Sequence, residues 1–186
     1  MPIVLHPYSP AWPATFAELA ARLRTALDDQ DAVIHHIGST SVPGLIAKNI
    51  IDMQLSLGDL SACPHEAIVA AGFRLARPTE DHCPPGRTLP ADELAKRLYV
   101  LGDRVANLHV REYGRFNQQY PLLCRDYLRA HPHAAAAYGE IKRQLAGYFP
   151  DDHNAYYAIK DPTFDVMMEG ANIWAKTINW QPPPRD

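Results

Sequence analysis

The stretch His36-Ile37-Gly38-Ser39-Thr40-Ser41-Val42-Pro43-Gly44-Leu45, running on through Ala47-Lys48-Asn49-Ile50-Ile51-Asp52-Met53-Gln54, decides how the chain reads. Val33 to Ile37 is a short β-prone run that stops at Gly38, and Ile50 to Leu57 is a second that stops at Gly58. The intervening Gly, Ser, Thr and Pro residues mark a turn-rich connection. A Gly-Ser pair after a strand lets backbone approach a ligand closely and presents N–H groups. Ser39, Thr40 and Ser41 add three hydroxyls suited to phosphate oxygens, and Lys48 adds a mobile positive charge. Side chains alternate along a strand, so Asp52 and Gln54 share a face. The expectation is a phosphate-binding turn beside a carboxylate in one cleft.

Working outward, Ser9-Pro10 reads as a helix start, with Phe16, Leu19, Leu23 and Leu27 at helical spacing over about 10–29. Pro64 to Ala71 reads as a short helix closed by Gly72. Residues 77–93 hold four prolines and a glycine, which predicts a long loop. Arg97 to Leu101 and Val105 to Arg111 read as a hairpin turning at Gly102-Asp103-Arg104. Three helices follow, from Phe116 to Ala130, from Pro132, and from Asp161-Pro162. The last carries Phe164, Met167, Met168, Ala171, Trp174 and Ile178 on one face, a core stripe. This order predicts an α/β (α+β) fold: a small mixed β-sheet with helices packed mainly on one face. Residues 1–180 form one domain, and Gln181 to Asp186 form an extended, mobile Pro-rich tail.

Composition bounds the function. The 186 residues fit one domain, and a hydrophobic fraction of 47% supports a true core. A net charge of -3 gives no global basic field, so nucleic acid is not an expected partner. No apolar run reaches the roughly 20 residues needed to cross a bilayer, and Met1 to His6 lacks the pattern of a signal peptide. Cys63, Cys83 and Cys124 are odd in number and far apart, which suits a reducing, cytoplasmic setting rather than a disulfide framework. Cys63 with His65 and His82 with Cys83 lack paired zinc-ligand spacing.

The Gly38–Lys48 string resembles the GrpB family, whose members carry His-Ile-Gly-Ser-Thr-x-Val-Pro-Gly-Leu-x-Ala-Lys before a strand with an aspartate. The resemblance continues through Tyr8-Ser9-Pro10-Ala11-Trp12, Leu108-His109-Val110, Arg125-Asp126-Tyr127-Leu128-Arg129, Tyr138 with Lys142, and Tyr156 with Lys160. Related domains also occur fused behind dephospho-CoA kinase, although this chain has no P-loop. The family is similar to the nucleotidyltransferase superfamily, which places Gly-Ser ahead of Asp-x-Asp and a third carboxylate on a neighbouring strand. Here Gly38, Ser39 and Asp52 match, while Gln54 and His109 stand where the other carboxylates would be.

What the resemblance implies is metal-assisted nucleotidyl or phosphoryl transfer from a nucleotide to a small acceptor. Asp52, His109 and Gln54 would be catalytic, with Asp52 and His109 holding a divalent metal, Mg or Mn. An Asp/Gln/His set carries one negative charge and suits Mn or Zn better than Mg. Gly38, Ser39, Thr40, Ser41, Lys48, Arg125, Lys142 and Lys160 would bind phosphate or nucleotide. The alternative is a nucleotide- or CoA-type ligand-binding module that has lost the chemistry, as the missing second carboxylate suggests. A third is a partner-binding protein using the Pro-rich loop at 77–93. Each bland reading also stands beside these: Gly38 to Ser41 as a tight turn, Asp52 as a capping or salt-bridged carboxylate, Gln54 as a hydrogen-bonded strand residue, His36 as a structural ring, His109 as a core histidine, Asp126 with Arg129 as a surface ion pair, and Lys142 and Lys160 as solvated lysines.

Overall fold

The structure, a computed structural model, describes residues 2–77, 79–102, 105–184 and 186. The chain runs α1 (Ala11–Leu27), β1 (Ile34–Ile37), β2 (Ile51–Leu57), α2 (His65–Ala70), β3 (Phe73–Ala76), β4 (Arg97–Leu101), β5 (Ala106–Glu112), α3 (Phe116–Ala130), α4 (Pro132–Tyr148) and α5 (His153–Ile178). The five strands lie in the order β1-β2-β5-β4-β3. Only β2 and β5 run parallel; the other three pairings are antiparallel. The mixed α/β sheet therefore matches the expected class.

The register explains the layers. Ile51, Met53 and Leu55 of β2 share a face with Ala106, Leu108 and Val110 of β5. All of these are buried in one cluster with Trp12, Phe16, Leu19 and Leu23 of α1 and Ile68 of α2. Helices stand on both sides of the sheet, but the apolar layering is one-sided. The cluster formed by α3, α4 and α5, with Leu123, Leu128, Tyr138, Met168 and Ala171, contains no strand residue. Between that bundle and the sheet lies the polar face of the strands: Asp52, Gln54 and Ser56 beside Asn107, His109 and Arg111. The candidate site sits there.

Element boundaries follow the sequence closely except in two places. β3 pairs with β4 although its residues gave no separate strand signal. Helix α5 starts at His153, nine residues before Pro162, because the Asp152 carboxylate accepts from Ala155 N at 2.9 Å and caps the helix there. Pro162 lies inside it, where it removes one helical N–H, and the neighbouring Thr163 hydroxyl donates back to the Lys160 carbonyl at 2.5 Å. Asp161-Pro162 mimics a helix start without being one. The expected β4–β5 turn falls on Asp103 and Arg104, outside the described residues, while the strands flanking it pair as expected.

The tail, expected to be extended, runs beside the edge strand β1. The Pro183 carbonyl lies 2.9 Å from His35 Nε2, and the Asp186 carboxylate accepts from His36 N at 2.8 Å. Arg185 lies outside the described residues. Among the described residues no helix is long and apolar enough to cross a membrane.

Candidate functional site

Gly38 turns the chain out of β1 at φ 70°, a conformation that favours glycine, and a 3-10 turn at Ser39–Ser41 follows. A Cβ added to Gly38 would stand 2.5 Å from Asp52 Oδ2. The loop and the carboxylate are therefore in direct apposition, and only glycine permits it. Both line one cleft of about 390 Å³ between the polar sheet face and α3–α5. The same cleft takes in Thr40, Lys48, His109, Arg125, Lys142 and Lys160.

The three hydroxyls of the turn part company. Ser41 Oγ is buried and donates to the Gly38 carbonyl at 2.6 Å. Thr40 Oγ1 donates to the Ile50 carbonyl at 3.2 Å and lies 3.0 Å from His36 Nε2. The first closes the turn on itself, and the second ties it to β1 and to the entry of β2. Ser39 alone faces a cation: Lys142 Nζ donates to its Oγ at 3.0 Å.

Lys48 from the loop before β2, Lys142 from α4 and Lys160 from α5 converge on this end of the cleft. Aromatic faces hold them. Lys48 Nζ sits 4.4 Å from the Tyr157 ring centroid and donates to the Tyr157 hydroxyl. Lys142 Nζ sits 4.6 Å from Tyr138, and Lys160 Nζ 4.9 Å from Phe164. Such contacts fix ammonium groups without neutralising them. Only Lys160 has a carboxylate partner among the described residues, Asp161 at 2.6 Å. Burial, with Lys160 and Lys48 nearby, pushes the Lys142 ammonium down to about 7.

Asp52 marks the sheet side. Its Oδ1 accepts from Asn107 Nδ2 at 2.8 Å, and His109 Nε2 lies 3.9 Å away. Burial acts to raise the Asp52 carboxyl, but His109, Asn107 and Lys48 outweigh it and hold the group below its ordinary value. His109 is held down by burial and by Arg111, so its ring is neutral at pH 7. Arg111 Nη2 lies 3.3 Å from His109 Nδ1 and can only donate, which leaves the ring proton on Nε2, toward Asp52.

Gln54 is fully buried and does not reach the cleft. It donates to the Gln118 carbonyl at 3.0 Å and accepts from Arg111 Nη1 at 2.6 Å. Arg125 reaches the cleft wall, but its hydrogen bonds go to Asp126, the His36 carbonyl and Asp186. Gly38, Ser39, Thr40, Lys48, Asp52, His109, Arg125, Lys142 and Lys160 are thus brought together. Ser41 and Gln54 lie behind them.

The sequence reading missed the support beneath the site. Arg111 grips Asp81 through two nitrogens, at 2.8 and 3.0 Å, while Lys96 at 2.6 Å and Asn117 at 3.1 Å complete the shell. Burial acts to raise the Asp81 carboxyl, but Arg111 and Lys96 win and hold it far below its ordinary value. Alternation in Ala106-Asn107-Leu108-His109-Val110-Arg111 was the available signal for Asn107 and Arg111. Asp81, in the long loop, carried none.

These residues do not by themselves make a metal cage. Gln54 and His109 Nδ1 are committed to Arg111, and no three His, Cys, Asp or Glu side chains converge among the described residues. A divalent ion at Asp52 would need its remaining oxygens from a nucleotide or water. Nor do the cysteine–histidine pairs meet: Cys63 and His65 both contact the Tyr99 hydroxyl, and Cys83 contacts the Arg87 carbonyl.

A mixed five-stranded sheet with a Gly-Ser turn opening on a lysine-rich cleft defines the class of this protein. The profile described as GrpB protein matches residues 2–170, and the chain belongs to the GrpB family. It is 33% identical over 198 residues to a protein named dephospho-CoA kinase from Mycolicibacterium paratuberculosis, covering 97% of this chain and 49% of that protein. It is 35% identical over 176 residues to UPF0157 protein YqkA of Bacillus subtilis, covering 92% and 48%. The chain thus spans about half the length of these two relatives. The crystal structure of conserved protein GrpB from Enterococcus faecalis superposes with a TM-score of 0.74 at 27% identity, covering 92% of this chain and 99% of that one.

Proposed function

We propose that the cleft binds a nucleotide or another small molecule bearing phosphate, with the phosphate held by Lys48 and Lys160 and by Ser39 and Lys142 at its base. One observation carries this reading: three lysines from three separate elements converge on the Gly38-Ser39 turn, and among the described residues only Lys160 has a carboxylate within ion-pair distance. Ammonium groups gathered this closely and drawn partly out of water are costly unless an anion completes them. The relatives named dephospho-CoA kinase support a nucleotide or CoA precursor as the ligand. With Cys63, Cys83 and Cys124 all free, we place the protein in the reducing cytoplasm. The test is a thermal-shift screen of nucleotides and CoA precursors, with and without Mg²⁺ or Mn²⁺. A specific ligand raises the melting temperature of the native chain. The absence of any shift at millimolar ligand would overturn the reading.

A second reading is transfer of a nucleotidyl or phosphoryl group. The ionised Asp52 in the same cleft, with a neutral His109 directing its proton at it, favours this. Asp52 would draw a proton from an acceptor hydroxyl while the lysines take up charge on the phosphate. Asp52→Asn is then expected to abolish transfer while leaving ligand binding within a fewfold of native. Transfer unchanged in that variant would eliminate this reading and leave binding alone.

A further inference from the structure

We propose that Ser39 and Lys142 form a nucleophile–base pair that takes an acyl group from an anionic activated ester or thioester. The proposal shares the cleft of the phosphate reading but draws on it only for the grip on the substrate's anionic part.

Of the three hydroxyls in the turn, two are spent on backbone carbonyls, and Ser39 alone faces an amine. Lys142 Nζ stands 3.0 Å from Ser39 Oγ, is fixed by the Ile46 carbonyl, and has no carboxylate partner among the described residues. That is the arrangement of a base beside a serine nucleophile, with the lysine kept free of any acid that would hold its proton. The charged and titratable groups facing Lys142 are Lys48, Lys160 and Tyr138. The two lysines and burial together bring its amine to about 7, so a neutral form is available at working pH. Ser39 is only partly buried and opens on the cleft.

In the step, Ser39 Oγ bonds to the acyl carbon as its proton passes to Lys142 Nζ. The bond to the leaving alcohol or thiol breaks, and that group departs with the proton from Lys142. Water then attacks the acyl-serine with Lys142 again as base. The acid is released and the Ser39 hydroxyl restored. Lys48 and Lys160 face the anionic end of the substrate.

A fluorophosphonate probe, which loses fluoride on reaction with an activated serine and carries no phosphate tail, tests the pair directly. The native chain is expected to gain one adduct, mapped to Ser39. The labelling rate should rise about tenfold per pH unit below 7 and level off above it. Lys142→Arg keeps the positive charge but cannot act as base. It should lose labelling at least 100-fold while its melting temperature and far-ultraviolet circular dichroism show that the fold persists. A folded native chain with no Ser39 adduct, or labelling equal in Lys142→Arg, overturns the proposal. Phosphate binding is measured separately, so either reading can fail alone.

Discussion

On one face of the sheet, Ile51, Met53, Leu55, Leu108 and Val110 are 2% exposed or less and meet α1 and α2. On the other face the same two strands turn Asp52, Gln54, Ser56, Asn107, His109 and Arg111 toward α3 and the cleft. The first face is held by area removed from water, which is non-directional and tolerant of shape. The second is held by directional hydrogen bonds and paired charges, in which each member satisfies the next. The difference teaches where function can reside. An apolar face can only be covered, whereas the polar face keeps Asp52, Ser39 and three lysines open to a ligand because Arg111, Asp81 and Gln118 satisfy its buried part.

Breaking the polar face at its centre has the largest expected effect. Asp81→Ala leaves Arg111 and Lys96 buried without their carboxylate, and urea melts should report a loss of about 3–5 kcal/mol. Replacing the cations by methionine in the same chain should restore much of it, whereas a simple packing defect would not recover. On the apolar face, Leu108→Ala should cost about 2–5 kcal/mol through the cavity it leaves. Phosphate affinity of the folded molecules should not change, which separates the two faces. Gly38→Ala forces a side chain into a glycine-favoured conformation and against Asp52, for about 1–3 kcal/mol and a clear loss of ligand affinity.

The smallest effect is a proton. Lys142 has its folded value lowered from 10.5 to about 7, so the unfolded chain binds more protons between those values. Stability contributed at this site therefore rises with pH from about 7 to 10.5 and is absent below 7. A bound phosphate favours the charged amine, so binding at pH 8 should take up a fraction of a proton, and affinity should fall as pH rises through 7. Calorimetry in two buffers of different ionisation enthalpy reads the uptake directly. Zero uptake would place Lys142 outside the phosphate contact.

Much of this was legible beforehand. The Gly38–Lys48 string and the alternation of β2 fixed the site's two walls, because turn chemistry and strand period are local properties. Gln54 was misjudged as a cleft residue because alternation gives the face but not what covers it, and α3 covers Gln54 through Gln118. The Asp81 clasp was invisible because a loop carboxylate finds its cations only in three dimensions. Periodicity alone reads Lys142 and Lys160 as helix surface charges; the resemblance pointed to them as phosphate contacts, and the packing of α4 and α5 against the turn brings them inward.

The central claim is that the three lysines and Ser39 form one anion site. Titrating pyrophosphate calorimetrically, without metal, into the native chain and into Lys48→Met/Lys160→Met tests it most directly. Each lost charge-assisted contact is worth about 1.5 kcal/mol or more, roughly tenfold in affinity. The double variant should therefore bind about 100-fold more weakly while the free protein melts no lower than the native chain. Equal affinity in the two proteins would contradict the account.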